Sequence, residues 1–452
     1  MKSNIAKGII GNGLAQITIK VVRVFDQLLL VPFFLVAWGA EYYGEWITLS
    51  IIPTILAYSN LGFGTASGNS FVLAYTAGDK QKAANLSKCG ILVILGSIII
   101  GGVFTAVTLW GGKYFNLFEK SLIPANEAIT AIALLMVGRL ITFYHQHIEG
   151  YFRAERKAAQ GSFIYSVHLA ISLLASFGAL CAGCGIIGYA FSQFIVAVLF
   201  TIIFFIIGYK TIDLKGYKGV FTCSDIKQIT SKGMGYMMDP VWQSIYFQGS
   251  TFVVRLTLGA EAVAIFNTVR TACRSVSQIF NVINGSIFPE LQYEYGKGNM
   301  QTVHRLFRLS IHTSIIIGFV GTALLMVFGL DIYNLWTKNL LSVPNNVWYT
   351  FIISILFNAI WWTSMVAYPV TNKPYNFAIA STATACVSVT TSYFLATHLG
   401  LWGAALGAAL FEFIMMLYVL PDSCRLFGMR ATELFANLRE DFALIKKKFC
   451  KF

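Results

Sequence analysis

Charge is scarce in this chain. Asp, Glu, Lys and Arg make up 12% of its 452 residues, against 56% apolar and 15% aromatic, and the mean hydropathy is +0.67. A water-soluble domain of this length could not cover its surface with so few polar side chains, so a polytopic membrane protein is expected. The signatures of nucleotide and hydrolytic chemistry are missing too. There is no Walker A loop, no dinucleotide-type glycine turn, no His-Glu-x-x-His and no Gly-x-Ser-x-Gly. ATP hydrolysis, a cofactor and enzymatic activity are therefore not expected. A cleavable signal is lacking, because the first apolar run is long and carries Lys20, Arg23 and Asp26. No strand-like alternation of the outer-membrane kind is present. Acidic residues are few, 20 against 33 Lys and Arg.

Metal chemistry finds little support. Cys181 and Cys184 have redox or metal spacing but no second ligand pair, and they sit among small residues that suit a tight helix connection. His145 and Glu149 share one helical face while His147 points away. That argues against a metal site and leaves His145 as a protonatable lining group.

Apolar runs long enough to cross about 30 Å of hydrocarbon as helices can be placed at 10–37, 45–72, 89–111, 126–148, 162–181, 186–208, 234–258, 262–288, 309–329, 346–370, 377–397 and 401–421. The expected fold is all-α, with twelve transmembrane helices. One set of loops plus both termini carries 24 Lys and Arg, and the opposite loops only Lys113, Lys120 and Lys338. This bias makes the crowded side cytoplasmic and accounts for most of the +13 net charge, with no need of a nucleic-acid partner.

Six basic residues remain inside the spans: Lys20, Arg23, Arg139, Arg255, Arg270 and Arg274. An ionised side chain near a helix centre costs on the order of 3 kcal/mol on insertion scales, and it faces water or a partner. Gln16, Lys20, Arg23 and Gln27 follow one another at i+4, i+3 and i+4 along one face, and Arg270 and Arg274 are one turn apart. Two simpler roles compete, an Arg23–Asp26 pair within the helix and an Arg255 that snorkels outward. Against the six bases stand Asp26, Asp239 and Glu412, so the interior is net positive and an anionic substrate is expected. Asp26 and Asp239 place one carboxylate in the first helix of each half and are the candidates for proton coupling. Pro32, Pro53, Pro240 and Pro369 fall in spans, where each frees a carbonyl and permits a bend.

The chain is written twice. Trp38-Gly39-Ala40-Glu41 answers to Leu258-Gly259-Ala260-Glu261, and Tyr75-Thr76-Ala77-Gly78-Asp79 to Tyr295-Gly296-Lys297-Gly298-Asn299, both at an offset of 220. Gly185-Ile186-Ile187-Gly188 answers to Gly400-Leu401-Trp402-Gly403 at 215. Two six-helix lobes around a central cavity follow, with the ligand site at the repeat interface. The lobes span 1–210 and 234–421, joined by a cytoplasmic linker at 211–233 and followed by a tail at 422–452. In the tail Leu434, Leu438, Phe442, Ile445 and Phe449 alternate with basic residues, the pattern of a helix lying on anionic lipid.

A family resemblance rests on particular stretches. These are Trp38-Gly39-Ala40-Glu41-Tyr42-Tyr43-Gly44-Glu45-Trp46, Asn60-Leu61-Gly62-Phe63-Gly64, Phe288-Pro289-Glu290-Leu291 and Tyr295-Gly296-Lys297-Gly298-Asn299. They resemble the polysaccharide transport family of the multidrug/oligosaccharidyl-lipid/polysaccharide (MOP) exporter superfamily, most nearly the O-antigen flippases of Gram-negative bacteria. The resemblance implies an inner-membrane flippase that moves undecaprenyl-diphosphate-linked glycan outward by alternating access. Membrane lipids and other polysaccharide assembly proteins would be its partners, with no nucleic acid, and the family's cationic cavity role would fall on Lys20, Arg23, Arg139, Arg255, Arg270 and Arg274. A drug exporter of the same superfamily is the rival, for which an acidic cavity is expected. A polytopic glycan polymerase or ligase is a weaker one, since no outer loop is long enough to hold a catalytic site.

Overall fold

The computed structural model describes residues 8–23, 33–34, 37–38, 42, 46, 62–115, 123–336 and 342–436. Asp26, most of the 45–72 span, the Gly39-Ala40-Glu41 block and the tail beyond 436 lie outside the described residues. Among those described, every regular element is helical. The protein is an all-α, polytopic membrane protein. It divides into two compact units, Met1–Met237 and Met238–Phe452.

The first unit holds α1 (residues 8–23), α2 (Phe63–Thr76), α3 (Lys80–Tyr114), α4 (Ala125–Ile141), α5 (His145–Ala154), α6 (Ala158–Cys181) and α7 (Gly185–Thr211). The second holds α9 (Ser250–Leu258), α10 (Ala260–Gly296), α11 (Met300–Trp336), α12 (Asn345–Ser364), α13 (Ala367–Thr371), α14 (Tyr375–Leu426) and α15 (Glu433–Ala436). The unit boundary falls inside α8 (Cys223–Ser244).

Among the described residues, seven helical stretches are long and apolar enough to cross a bilayer: α3, α4–α5, α6, α7, α11, α12–α13 and α14. Their outer faces are apolar. Ile99, Val103, Val107 and Trp110 recur at i+4, i+4 and i+3 on α3 and are each about 60% exposed or more, as a lipid-facing stripe requires. Polar side chains turn inward instead. In the first unit Ser67, His147, Tyr151 and Ser87 form a buried chain, with Ser67 Oγ to His147 Nδ1 at 2.6 Å, His147 Nε2 to Tyr151 OH at 2.8 Å and Tyr151 OH to Ser87 Oγ at 2.6 Å. There α2 and α5 cross glycine on glycine: a Cβ added to Gly150 would stand 2.9 Å from the Gly68 Cα.

At 52 residues α14 would measure about 78 Å if straight, more than twice the hydrocarbon thickness. It breaks at Gly400, where φ is 62° and ψ −143°, conformations closed to other residues. The two arms fold back on each other: Ser388 Oγ donates to Gly407 O at 2.7 Å and Ser392 Oγ to Ala404 O at 3.3 Å. α14 thus provides the two passes expected at 377–397 and 401–421.

The repeat reappears as geometry. Between α2 and α3, the N–H groups of Gly78, Asp79 and Lys80 donate to the carbonyls of Tyr75, Ala74 and Gly78 at 3.2, 3.1 and 3.0 Å. Between α10 and α11, Gly298, Asn299 and Met300 donate to Tyr295, Glu294 and Gly298 at 3.0, 2.9 and 2.9 Å, each pair shifted by 220 positions. Both glycines take positive φ, 90° and 74°. Asp79 and Asn299 each cap the next helix, accepting from the N–H of Lys82 at 2.9 Å and of Thr302 at 3.4 Å. Gly185 and Gly400, offset 215, share a φ of 62°.

Candidate functional site

The polar side chains of α10 converge on one pocket in the second unit. Arg270, Arg274, Ser277, Gln278 and Asn281 line one wall, at spacings that place them along one helical face. Trp242 of α8, Tyr246 and Phe247, Asn358, Trp361 and Trp362 of α12, and Phe411 and Glu412 of α14 line the rest. The cavity measures about 50 Å³ and opens outward beside Arg274 and Gln278, both exposed.

Local backbone irregularity shapes this wall. Between α8 and α9 the helix widens into a π turn over Ile245–Gly249, shortly after Pro240 within α8. The Phe247 carbonyl there accepts from Arg270 Nη1 and Nη2, both at 3.3 Å. Arg270 also donates to Ser250 Oγ at 2.8 Å, Thr251 Oγ1 at 3.0 Å and Asn267 Oδ1 at 2.5 Å. All these acceptors are neutral, so the guanidinium is fixed in place with its charge intact. Arg274 differs. It is exposed, its Cζ lies 4.1 Å from the Phe247 ring centroid, and among the described residues it makes no hydrogen bond. Its donors remain for whatever enters.

Opposite stands a carboxylate. Glu412 Oε2 accepts from Asn358 Nδ2 at 2.9 Å and Trp361 Nε1 at 2.6 Å, while the Tyr246 hydroxyl shares its one proton between the Ala408 carbonyl at 3.1 Å and Oε1 at 3.4 Å. Tyr246 and Trp242 stack on Phe411 at 4.1 and 5.3 Å between centroids, forming an aromatic floor. With two guanidiniums against one acid, the pocket is net positive in either protonation state of Glu412.

The structure brings two of the six sequence-derived cations together here, Arg270 and Arg274. Lys20, half-buried, and Arg23, exposed, lie on α1, and Arg139 is exposed on α4, all in the first unit. Arg255 is exposed near the end of α9 and is not among the pocket residues. Asp239 stands outside the pocket lining and accepts from Trp242 Nε1 at 3.4 Å. His145 meets Thr201 Oγ1 at 3.1 Å and packs on Phe200. Sequence reasoning passed over Glu412 as a site residue, and with it Asn358, Trp361, Gln278 and Asn281. The continuation of the Arg270–Arg274 face to 278 and 281 was a readable signal.

Residues 69–292, from α2 through α10, match the sequence profile of a polysaccharide biosynthesis protein family. No curated protein matches the sequence. Among solved structures, a point mutant of a MATE transporter superposes with a TM-score of 0.77 at 15% identity, covering 96% of this chain and 97% of that one. An outward-facing multidrug resistance MATE transporter of the MOP superfamily gives 0.75 at 16%, covering 94% and 96%. A MOP superfamily transporter from Pyrococcus furiosus, described by the reverse polarity of its binding pocket, gives 0.70 at 16%, covering 95% and 96%. At these identities the likeness is one of fold.

Proposed function

We propose that the chain is a member of the polysaccharide transport family of the MOP exporter superfamily and, from that premise, an inner-membrane flippase for a glycan carried on undecaprenyl diphosphate; the family match over residues 69–292 and the likeness of fold support this reading. The observation that carries the reading is the pair Arg270 and Arg274. One guanidinium is held charged by neutral acceptors, and the other lies over an aromatic ring with its donors open to the pocket. Arg274 can offer a pair of donors to diphosphate oxygens, and Arg270 on the adjacent turn, its own donors engaged, adds its charge. Alternating access would carry the head group outward, a direction favoured by about 2.3 kcal/mol per negative charge per 100 mV of inside-negative potential. Lys20, Arg23, Arg139 and Arg255 would serve other stages of the passage, and Asp26 and Asp239 the proton-driven reset. The Lys/Arg bias argues for both termini in the cytoplasm, so reporters fused after Lys80, Lys157, Lys218 and Lys297 should read cytoplasmic and those after Lys113 and Lys338 periplasmic.

Deleting the gene in its native host should cause lipid-linked oligosaccharide to accumulate on the cytoplasmic leaflet. Restoring the Arg274→Ala variant should leave that block in place, while Arg274→Lys should relieve part of it. Normal surface glycan in the deletion strain would sink the proposal. Glu412 and the MATE-like fold favour a second reading, export of a cationic compound. The two donors already on that carboxyl group, Asn358 and Trp361, and the two arginines that line the same pocket weigh against this reading. Efflux of ethidium that depends on Glu412 would reverse the preference.

A further inference from the structure

The pocket wall on α10 changes character along its length. Arg270 and Arg274 bring charge, and Gln278 and Asn281, about 6 and 10.5 Å farther along the axis from Arg274, bring neutral carboxamides on the same face. Trp362 meets them from α12. Its indole N–H donates to Asn281 Oδ1 at 2.9 Å, and its carbonyl accepts from Asn284 Nδ2 at 2.6 Å. The first bond fixes the orientation of the Asn281 amide. The nitrogen of that amide reaches Gln278 Oε1 only at 3.4 Å and carries two hydrogens, so it retains a donor. Gln278 itself is exposed, at the open side of the pocket.

An indole plane beside two carboxamides suits a neutral, polyhydroxylated ring. The C–H face of a pyranose lies flat on an aromatic face, and its hydroxyls both donate and accept, as a carboxamide does. A cation finds no open carboxylate at this end of the wall, and a bare lipid diphosphate has no hydroxyls to offer the amides. The separation also fits, since a sugar bonded to a phosphate at Arg274 would lie over the next turns of α10.

We propose that Gln278, Asn281 and Trp362 form a sugar subsite that reads the pyranose attached directly to the diphosphate held at Arg270 and Arg274. The assignment rests on the flippase reading above and makes this end of the pocket a determinant of which glycan is accepted. A site built to hydrogen-bond hydroxyls discriminates strongly against a ligand lacking them, because its own polar groups are then left unmatched.

The test is calorimetric titration of the full-length protein in lipid nanodiscs with farnesyl diphosphate and with its glucosyl, galactosyl and N-acetylglucosaminyl derivatives. At least one glycosylated ligand should bind about tenfold more tightly than farnesyl diphosphate, the difference one or two hydrogen bonds make. Gln278→Ala and Asn281→Ala should erase that preference while leaving the affinity for farnesyl diphosphate within about twofold, whereas Arg274→Ala should weaken every ligand. Equal binding of all four ligands by the unaltered protein, or equal weakening of all four by Asn281→Ala, overturns the subsite and leaves the flippase reading standing. If the unaltered protein binds none of them, the flippase reading falls as well. Should Asn281→Ala fail to fold, exposed Gln278 carries the comparison.

Discussion

Arg156 and Asn372, 216 positions apart, hold the same left-handed backbone, with φ of 56° and 54°, and are the non-glycine residues with positive φ among those described. Each ends a short helix in the same way. Arg156 and Lys157 donate to the carbonyls of Arg153 and Phe152 at 3.1 and 2.8 Å, and Asn372 and Lys373 to those of Pro369 and Tyr368 at 3.3 and 3.0 Å. The turn is thus kept in both repeats although the residues that make it differ. Arginine bears the steric cost of αL that glycine would escape and a β-branched residue would increase. Arg156→Val should lower stability by about 1–2 kcal/mol, and Arg156→Gly by far less, in thermal melts of the detergent-solubilised protein. Equal losses would mean that the Arg156 side chain, not the backbone, holds the turn.

The hairpin in α14 depends on small residues where its arms meet. A Cβ on Gly403 would stand 2.0 Å from the Leu395 carbonyl oxygen, a backbone atom with little room to move. Gly403→Ala should therefore cost about 2–3 kcal/mol or prevent accumulation of the folded protein. Gly178, in α6, has nothing within 4 Å of its position for a Cβ, and Gly178→Ala should be neutral or stabilise by about 0.5–1 kcal/mol through helix propensity. Melting temperatures of the two variants measured side by side decide the point, and a Gly403→Ala protein as stable as Gly178→Ala would refute it.

Arg270 and Arg274 should separate in stability, since one is bonded and the other is open. Arg270→Ala leaves the Phe247 carbonyl and the Asn267, Ser250 and Thr251 side chains without their donor, a loss of about 1–3 kcal/mol. Arg274→Ala should stay within about 0.5 kcal/mol of the unaltered protein. Indistinguishable melting curves for the two variants would show that the hydrogen bonds of Arg270 add nothing to the fold.

At the far end of the first unit, outside the spans, Tyr75 donates to Glu155 and accepts the Asp213 N–H at 3.1 Å, tying α2 to the segment that leads toward α8. Burial and the Glu155 carboxylate push its hydroxyl up to about 12 from an ordinary value near 10. The folded value lies above the unfolded one, so this contribution is complete below pH 10 and is lost as the pH rises toward 12. Tyr75→Phe should melt at a lower temperature near neutrality, and its gap from the unaltered protein should narrow above pH 10. A gap that stays constant to pH 12 would exclude a titrating Tyr75.

By itself the sequence determined the membrane class, the helical fold and the duplication, because each follows from local composition and short-range periodicity. The Gly78 and Gly298 turns were legible as matching stretches, since the need for positive φ is written in single residues. The adjacency of Arg270 and Arg274 was legible because one helical turn fixes it. Only the tertiary structure decided which other groups join them. Glu412 meets Tyr246 across 166 positions and Trp361 across 51, and no periodicity within one helix encodes such a meeting. The same holds for the π turn that offers the Phe247 carbonyl to Arg270, and for Trp362 holding the Asn281 amide across 81 positions. An isolated charge in an apolar span signals a need for polar company, but the packing of distant helices selects the company it keeps.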